Sequence, residues 1–323
     1  MGRELGEQLL ASAERSRDPA LILEAHHELW ANLSHLGEFS AALTHSKRGI
    51  ELYDPEQHRQ HAFLYGGHDP GVCSLRHAAM MLCLLGYPDQ ALQRSDEALA
   101  LAQKLSHPNS LAFALYYSAW VHQQRGERQL VQDRLETTMT LATEQGLTRW
   151  LHQGNFFQGW LLVQQGKGQE GILKMRRPIT VAVRELSYHV TLLAEACKKE
   201  GQIDEGLRIV TEELARVQIV GIRFYEAELY RIKGELLLQS GVQNLESRVQ
   251  EAEACLRQGI EIARGQSAKS LELRAAMSLS RLWQRQGKKQ EARTLLSEIY
   301  GWFTEGFDTA DLKEAKALLQ QLS

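Results

Sequence analysis

Seven glycines, Gly37, Gly86, Gly126, Gly166, Gly201, Gly241 and Gly287, recur along this chain with matching neighbours around each one. Seven positions before them stand Trp30, Ala79, Ala119, Gly159, Ala194, Gly234 and Ser280, six of which are small. Five positions after them stand Ala42, Ala91, Val131, Gly171, Gly206 and Ala292, and Ala252 takes that place for Gly241 after a six-residue insertion. A glycine can enter the left-handed region that ends a helix, and small residues on both sides of it let two helices lie close. The unit is therefore a helix-turn-helix repeat. Its spacings of 49, 40, 40, 35, 40 and 46 residues describe a 40-residue period with an insertion in unit 1, a deletion in unit 4 and extra residues in unit 6. A repeat of this kind stacks into a solenoid whose surface binds something, rather than a pocket that does chemistry.

Between the glycines the sequence is rich in Ala, Leu, Glu, Gln and Arg, and only six prolines interrupt it, so the chain reads as all-α. In unit 2, Leu75, Ala78, Ala79 and Leu82 keep helical spacing before Gly86, and Ala91, Leu92, Ala98 and Leu99 keep it after the turn. Continuous repetition makes residues 1–323 a single array. Helix pairs are expected over 18–53, 72–106, 107–146, 147–186, 187–220, 221–266 and 267–304. Residues 1–17 read as the remnant helix of a preceding unit and run into Asp18-Pro19, a helix-start signal. Residues 54–71, with Gly66, Gly67 and Pro70, form the longest irregular loop, where Asp69 is placed to order the start of the next helix. Residues 308–323 carry the stripe Leu312, Ala315, Leu318, Leu319 and Leu322, as a capping helix would.

Basic and acidic residues number 37 and 40 and are mixed along the chain, leaving a net charge of -3 and no field that would attract nucleic acid. No apolar run approaches the ~20 residues that span a bilayer, and the amino terminus lacks a signal peptide's apolar core. No membrane partner is expected. Cys73, Cys83, Cys197 and Cys255 form no C-x-x-C pair, which suits buried thiols in a reduced cytoplasmic protein. No phosphate loop of the form G-x-x-x-x-G-K-[ST] and no recognisable Ser-His-Asp or Cys-His arrangement is present, so no catalytic residues are assigned and no enzyme is expected. His58, His61, His68 and Asp69 lie in or beside the irregular loop, with His77 soon after, and the nearest approach to a metal motif among them is His58-x-x-His61. Without a second strong pair it assigns no metal and no cofactor.

The order Leu-Gly37-Glu-Phe39 with Ala42, and Leu-Gly86 with Ala91 and Ala98, resembles the tetratricopeptide repeat, with a period longer than its usual 34 residues. The fold this implies is a tetratricopeptide-type right-handed superhelical solenoid of about seven helix pairs with a capping C-terminal helix. Longer strings resemble one bacterial group more specifically: His68-Asp-Pro-Gly-Val72, Leu84 through Arg94, Leu105-Ser-His-Pro108, Leu111 through Leu115, Tyr230 through Leu238, Ala268 through Ala276, and Trp302 through Thr309. They are similar to the carboxy-terminal region of proteins that join a class III adenylate/guanylate cyclase domain to a signal-transduction ATPase. That resemblance implies a sensor or interaction arm which regulates modules lying upstream of it.

Positions six, ten and thirteen before the marker glycines are expected to face the concave groove. The six-before row is Ala31, Met80, Trp120, Trp160, Glu195, Glu235 and Arg281. The ten-before row is His27, Arg76, Tyr116, Phe156, Thr191, Arg231 and Met277. The thirteen-before row is Glu24, Cys73, Phe113, Gln153, Tyr188, Glu228 and Arg274. The candidate groove set drawn from them is Arg76, Phe113, Tyr116, Trp120, Phe156, Trp160, Tyr188, Glu195, Glu228, Arg231, Glu235, Arg274 and Arg281. It has an aromatic half and a charged half, the residue types that dominate recognition surfaces. Trp120 and Trp160 could equally fill space between long helices, and Glu228, Arg231 and Glu235 could pair with one another on one helix. The expected partner is a protein or peptide segment, with a small-molecule effector as the other occupant and a homodimer through an open solenoid end. Two functions follow: a regulatory region that biases a linked signalling enzyme, or a free-standing scaffold with no linked catalysis.

Overall fold

A computed structural model describes residues 2–176, 186–240 and 245–323, and no strand occurs among them. The marker Gly241 and residues 177–185, which fall in the stretch of the unit-4 deletion, lie outside the described residues. The chain divides into two compact units, residues 1–154 and 155–323.

In the first unit, α1 (Gly2–Ser16) packs on α2 (Pro19–His35), and α2 pairs with α3 (Phe39–Leu52). The pairs α6 (Pro70–Leu85) with α7 (Pro88–Leu105) and α8 (Pro108–Arg125) with α9 (Arg128–Glu144) follow. Of these seven helices each touches the next one named, α3 reaching α6, and the first helices of neighbouring pairs touch as well, α2 on α6 and α6 on α8. This is the nearest-neighbour stacking of a repeat array. The second unit repeats it. The end of α10 (Thr148–Gln164) and α11 (Gly168–Met175) precede α12 (Leu186–Lys199) with α13 (Ile203–Val220), α14 (Glu226–Leu237) with α15 (Leu245–Gly265), and α16 (Lys269–Arg285) with α17 (Lys289–Tyr300). There α12, α14, α16 and α18 (Ala310–Gln321) line up as one layer. Each unit is an all-α, tetratricopeptide-type stack of helix pairs, and the second ends in a closing helix.

The glycine register works as its chemistry requires. Gly37, Gly86, Gly126, Gly166, Gly201 and Gly287 all have positive φ, from 72° to 95°. The residue after each donates its N–H to a carbonyl five back, as in Tyr87 to Leu82 at 2.9 Å and Lys288 to Trp283 at 2.9 Å, which closes the helix end. The paired small residues meet across the turn. A Cβ on Gly159 would stand 2.7 Å from the Gly171 carbonyl oxygen, and Ser280 Oγ donates to the Ala292 carbonyl at 3.2 Å. Trp30, the large exception, is fully buried because Gly49 of α3 leaves room for its ring, where a Cβ would come within 2.4 Å.

Residues 54–71 are not featureless. They hold two single helical turns, α4 (Pro55–His58) and α5 (His61–Leu64), before Asp69 caps α6 by accepting from Val72 N at 3.0 Å. No described helix is long and apolar enough to cross a membrane. All four cysteines are buried, and none forms a disulfide.

Candidate functional site

The structure sorts the thirteen groove candidates by burial. Phe113, Tyr116, Trp120, Phe156 and Tyr188 are at most 2% exposed. Four of these rings meet other rings: Trp150 meets Phe113 and Tyr116 at 5.7 and 5.6 Å, His189 meets Phe156 at 4.4 Å, and Tyr225 meets Tyr188 at 5.2 Å. These aromatics join adjacent helices. Arg76 lays its guanidinium over Tyr117 at 4.0 Å and Phe113 at 4.6 Å. Trp160, also largely buried, lines a cleft of about 440 Å³ in the second unit, with Val163 and Gln164 of α10, Leu192, Glu195, Lys198 and Lys199 of α12, and Gln239. A cleft of that size takes one or two side chains of a ligand.

The charged candidates converge on Arg231. Its guanidinium donates to Glu195 on α12 at 2.5 Å and, within α14, to Glu228 and Glu235 at 2.8 Å each. Glu235 also accepts from Ser278 Oγ of α16 at 2.5 Å and pairs with Lys198. Arg274 of α16 stands 3.7 Å from Glu228 and donates to Asp311 of α18 at 2.6 Å, while Arg281 pairs with Glu314. One row of carboxylates and guanidiniums therefore crosses four helices. Burial opposes the charges of Arg231, Glu228, Glu235 and Glu195. For Arg231 the three carboxylates outweigh burial and raise the guanidinium further. At Glu228 and Glu235 burial is likewise outweighed, by Arg231 with Arg274 at the first and by Arg231 with Lys198 at the second, and both carboxyls are lowered. At Glu195 burial prevails over Arg231 and the carboxyl is raised.

In the first unit, residues of the ten- and thirteen-before rows meet histidines of the inserted segment, a combination that the sequence did not bring together. Glu24 and His27 on α2, His61 of α5, His68 before α6, and Cys73 on α6 meet in one cluster. His61 Nδ1 and His27 Nδ1 donate to the two oxygens of Glu24 at 2.6 and 3.1 Å. His27 Nε2 stands 3.4 Å from Cys73 Sγ. One ligand atom each from His27, His68 and Cys73 lie within 4.8 Å of one another. Burial pushes the His27 imidazolium down, but the Cys73 sulfur and the Glu24 carboxylate outweigh it and raise it to about 10. The Cys73 thiol, which burial alone would raise, is held well below its usual range by His27 and His68. The signal was present in the register, because Glu24 and Cys73 share one row and His27 stands in the adjacent one.

No family model matches the chain. An uncharacterized protein of Rhizobium meliloti (strain 1021) is 26% identical over 277 residues, a match that covers 83% of this chain. The chain spans about a quarter of that relative's length, 26%. Among solved structures, a tetratricopeptide repeat protein from Parabacteroides merdae is similar with a TM-score of 0.43 and 14% identity, covering 91% of this chain and 98% of that one. Yeast Tom70 is similar with a TM-score of 0.41 and 15% identity, covering 99% of this chain and 58% of that one.

Proposed function

We infer that this chain is a non-catalytic helix-repeat scaffold that captures a segment of a partner protein, and that the cleft between α10 and α12 is where the segment docks. One observation carries the reading. The cleft joins the wall of Trp160 and Leu192 to the exposed Lys199, whose Nζ donates to a neutral acceptor, the Val163 carbonyl, at 2.8 Å. The ammonium charge beside an apolar wall suits an apolar side chain flanked by a carboxylate. The neighbouring charges are already matched, Lys198 to Glu235 and Glu195 to Arg231, so they set the rim without adding a second unpaired charge.

Selection from a displayed random-peptide library, run on the chain and on Lys199→Glu, tests this. Peptides with an acidic residue next to an aromatic or aliphatic one are expected to enrich on the first and to be lost on the second. Lys199 is exposed, so the reversal leaves the fold in place. Equal enrichment on both, or none on either, contradicts the reading.

A second reading, regulation of a linked cyclase or ATPase module, draws on the sequence resemblance and on the greater length of the Rhizobium relative. Its test is the turnover of the natural polypeptide that carries this chain, measured with Lys199→Glu. Unchanged turnover would leave the scaffold reading standing alone.

A further inference from the structure

We propose that His27, His68 and Cys73 form a binding site for a thiophilic divalent cation, zinc in the first instance, which fastens the 54–71 segment onto α2 and α6. The donor set is one thiolate and two imidazoles, the mixed sulfur and nitrogen set that zinc takes. With the usual zinc bond lengths, tetrahedral geometry separates a sulfur from a nitrogen by about 3.6 Å and two nitrogens by about 3.3 Å. The His27 Nε2 to Cys73 Sγ separation of 3.4 Å already fits, and the full set within 4.8 Å needs only side-chain movement to close. Three protein ligands leave a fourth position for water.

The surroundings are built for these ligands. The Glu24 carboxylate accepts a hydrogen bond from His27 Nδ1, which fixes the ring so that Nε2 faces Cys73. A carboxylate behind a ligating imidazole orients it and raises its basicity. Glu24 is itself held by His61 from the same inserted segment. His68 is equally constrained. Its ring stacks on Phe113 with centroids 4.4 Å apart and planes within 9°, and it lies over Gly66, where a Cβ would stand 2.8 Å from its Cε1. On either side of it, Asn109 donates to the Gly67 carbonyl and Asp69 N donates to Ser110 Oγ at 2.8 Å. His68 Nε2 is buried and has no hydrogen-bond partner, so the ring is free to turn a nitrogen toward an ion. A divalent ion would face one thiolate and one carboxylate, so the site closes near neutrality.

The site also accounts for the insertion. The ligands come from three separate places in the chain: His27 from α2, His68 from the inserted segment and Cys73 from the first turn of α6. It differs from the His58-x-x-His61 pair considered in the sequence. His61 serves from behind, through Glu24, whereas His58 Nδ1 accepts from Asp54 N at 2.9 Å and its ring meets the edge of His61 at 5.1 Å.

The test is titration of the metal-free full chain with Co²⁺ and then Zn²⁺ under reducing, anaerobic conditions. One equivalent of Co²⁺ is expected to give the near-ultraviolet thiolate-to-cobalt charge-transfer band and tetrahedral visible bands, both displaced by Zn²⁺. Cys73→Ser is expected to abolish the charge-transfer band, whereas Cys83→Ser retains it. His68→Gln, a change in a surface-reaching segment, is expected to weaken Co²⁺ binding by at least about tenfold, and Glu24→Gln by about 10- to 100-fold. Zn²⁺ should raise the melting temperature of the chain and of Cys83→Ser, but not of Cys73→Ser. Circular dichroism of each metal-free variant verifies that it is folded. Absence of the band at stoichiometric Co²⁺, or its persistence in Cys73→Ser, overturns the proposal.

Discussion

Arg231→Met is the perturbation whose consequence the structure specifies most fully. Arg231 is 6% exposed and serves three carboxylates, while methionine keeps the aliphatic stem and removes the guanidinium. Glu195 reaches solvent, and Glu235 keeps Lys198 and Ser278. Glu228 is different. It is 3% exposed, its Oε2 already lacks a hydrogen-bond partner, and after the substitution its nearest cation is Arg274 at 3.7 Å. Removing one partner of a buried ion pair costs about 3–5 kcal/mol because the other charge is stranded, and the remaining Arg274 places this case near the lower figure, about 3 kcal/mol.

Urea denaturation should show that loss as a lower midpoint with unchanged slope, and hydrogen exchange should confine it to peptides of residues 186–323. The pH dependence is the sharper readout. In the wild type the Glu228 carboxyl is lowered from 4.5, so its contribution is present above about pH 4.5 and is lost as pH falls through the folded value. In Arg231→Met, burial and the neighbouring Glu235 charge are opposed by Arg274 alone, and the Glu228 carboxyl is expected to rise. Stability should then increase as pH falls from neutrality toward about 5, the reverse of the wild type. Adding Glu228→Gln should recover more than about 1 kcal/mol and flatten that response. A loss below about 1 kcal/mol with a wild-type pH profile would refute the buried network and make it a solvated surface pairing.

Other consequences are equally direct. His77 is buried on α6 with neither ring nitrogen bonded, and burial, followed by the charges of Arg76 and its neighbouring histidines, holds its imidazole well below 6.5. Its folded value lies below the unfolded one, so its contribution is present above about pH 6.5 and is lost on acidification. A neutral buried imidazole should cost about 2 kcal/mol of stability between about pH 7.5 and 5, and His77→Leu should remove that slope in thermal melts. Gly126→Ala, at φ 81°, should destabilise by about 1–2 kcal/mol from backbone strain. Gly159→Ala should destabilise by about 1–3 kcal/mol, because the added methyl meets the Gly171 carbonyl oxygen at 2.7 Å. Gly265→Ala, with nothing within 4 Å of the new methyl, should fall within about 0.5 kcal/mol of the wild type by the same chemical denaturation.

The repeat was legible in the sequence because its signals are local. A glycine's φ and the contact between residues twelve apart across one turn are decided within a single unit, so Gly159 with Gly171 and Ser280 with Ala292 could be paired before any coordinates. The row of charges was legible for the same reason, since Glu228, Arg231 and Glu235 share one helix face. Its reach to Glu195, Ser278 and Asp311 depends on how neighbouring units stack. The aromatic half was harder to read. Position on a helix face does not say whether that face meets solvent or the next helix, and Phe113, Tyr116 and Phe156 meet rings from adjacent helices. The cluster at Cys73 was missed because metal motifs are sought as short spacings, whereas its ligands are separated by 46 positions between His27 and Cys73 and by a turn that places His68.

Hydrogen exchange on the chain with and without a library-selected acidic peptide tests the central claim most directly, since it locates the bound segment without assuming its position. The account predicts slower exchange in peptides that contain the end of α10 and α12, where Trp160, Leu192 and Lys199 line the cleft, with the effect lost in Lys199→Glu. Protection confined to α13, α15 or α17, or protection that persists undiminished in Lys199→Glu, would contradict it.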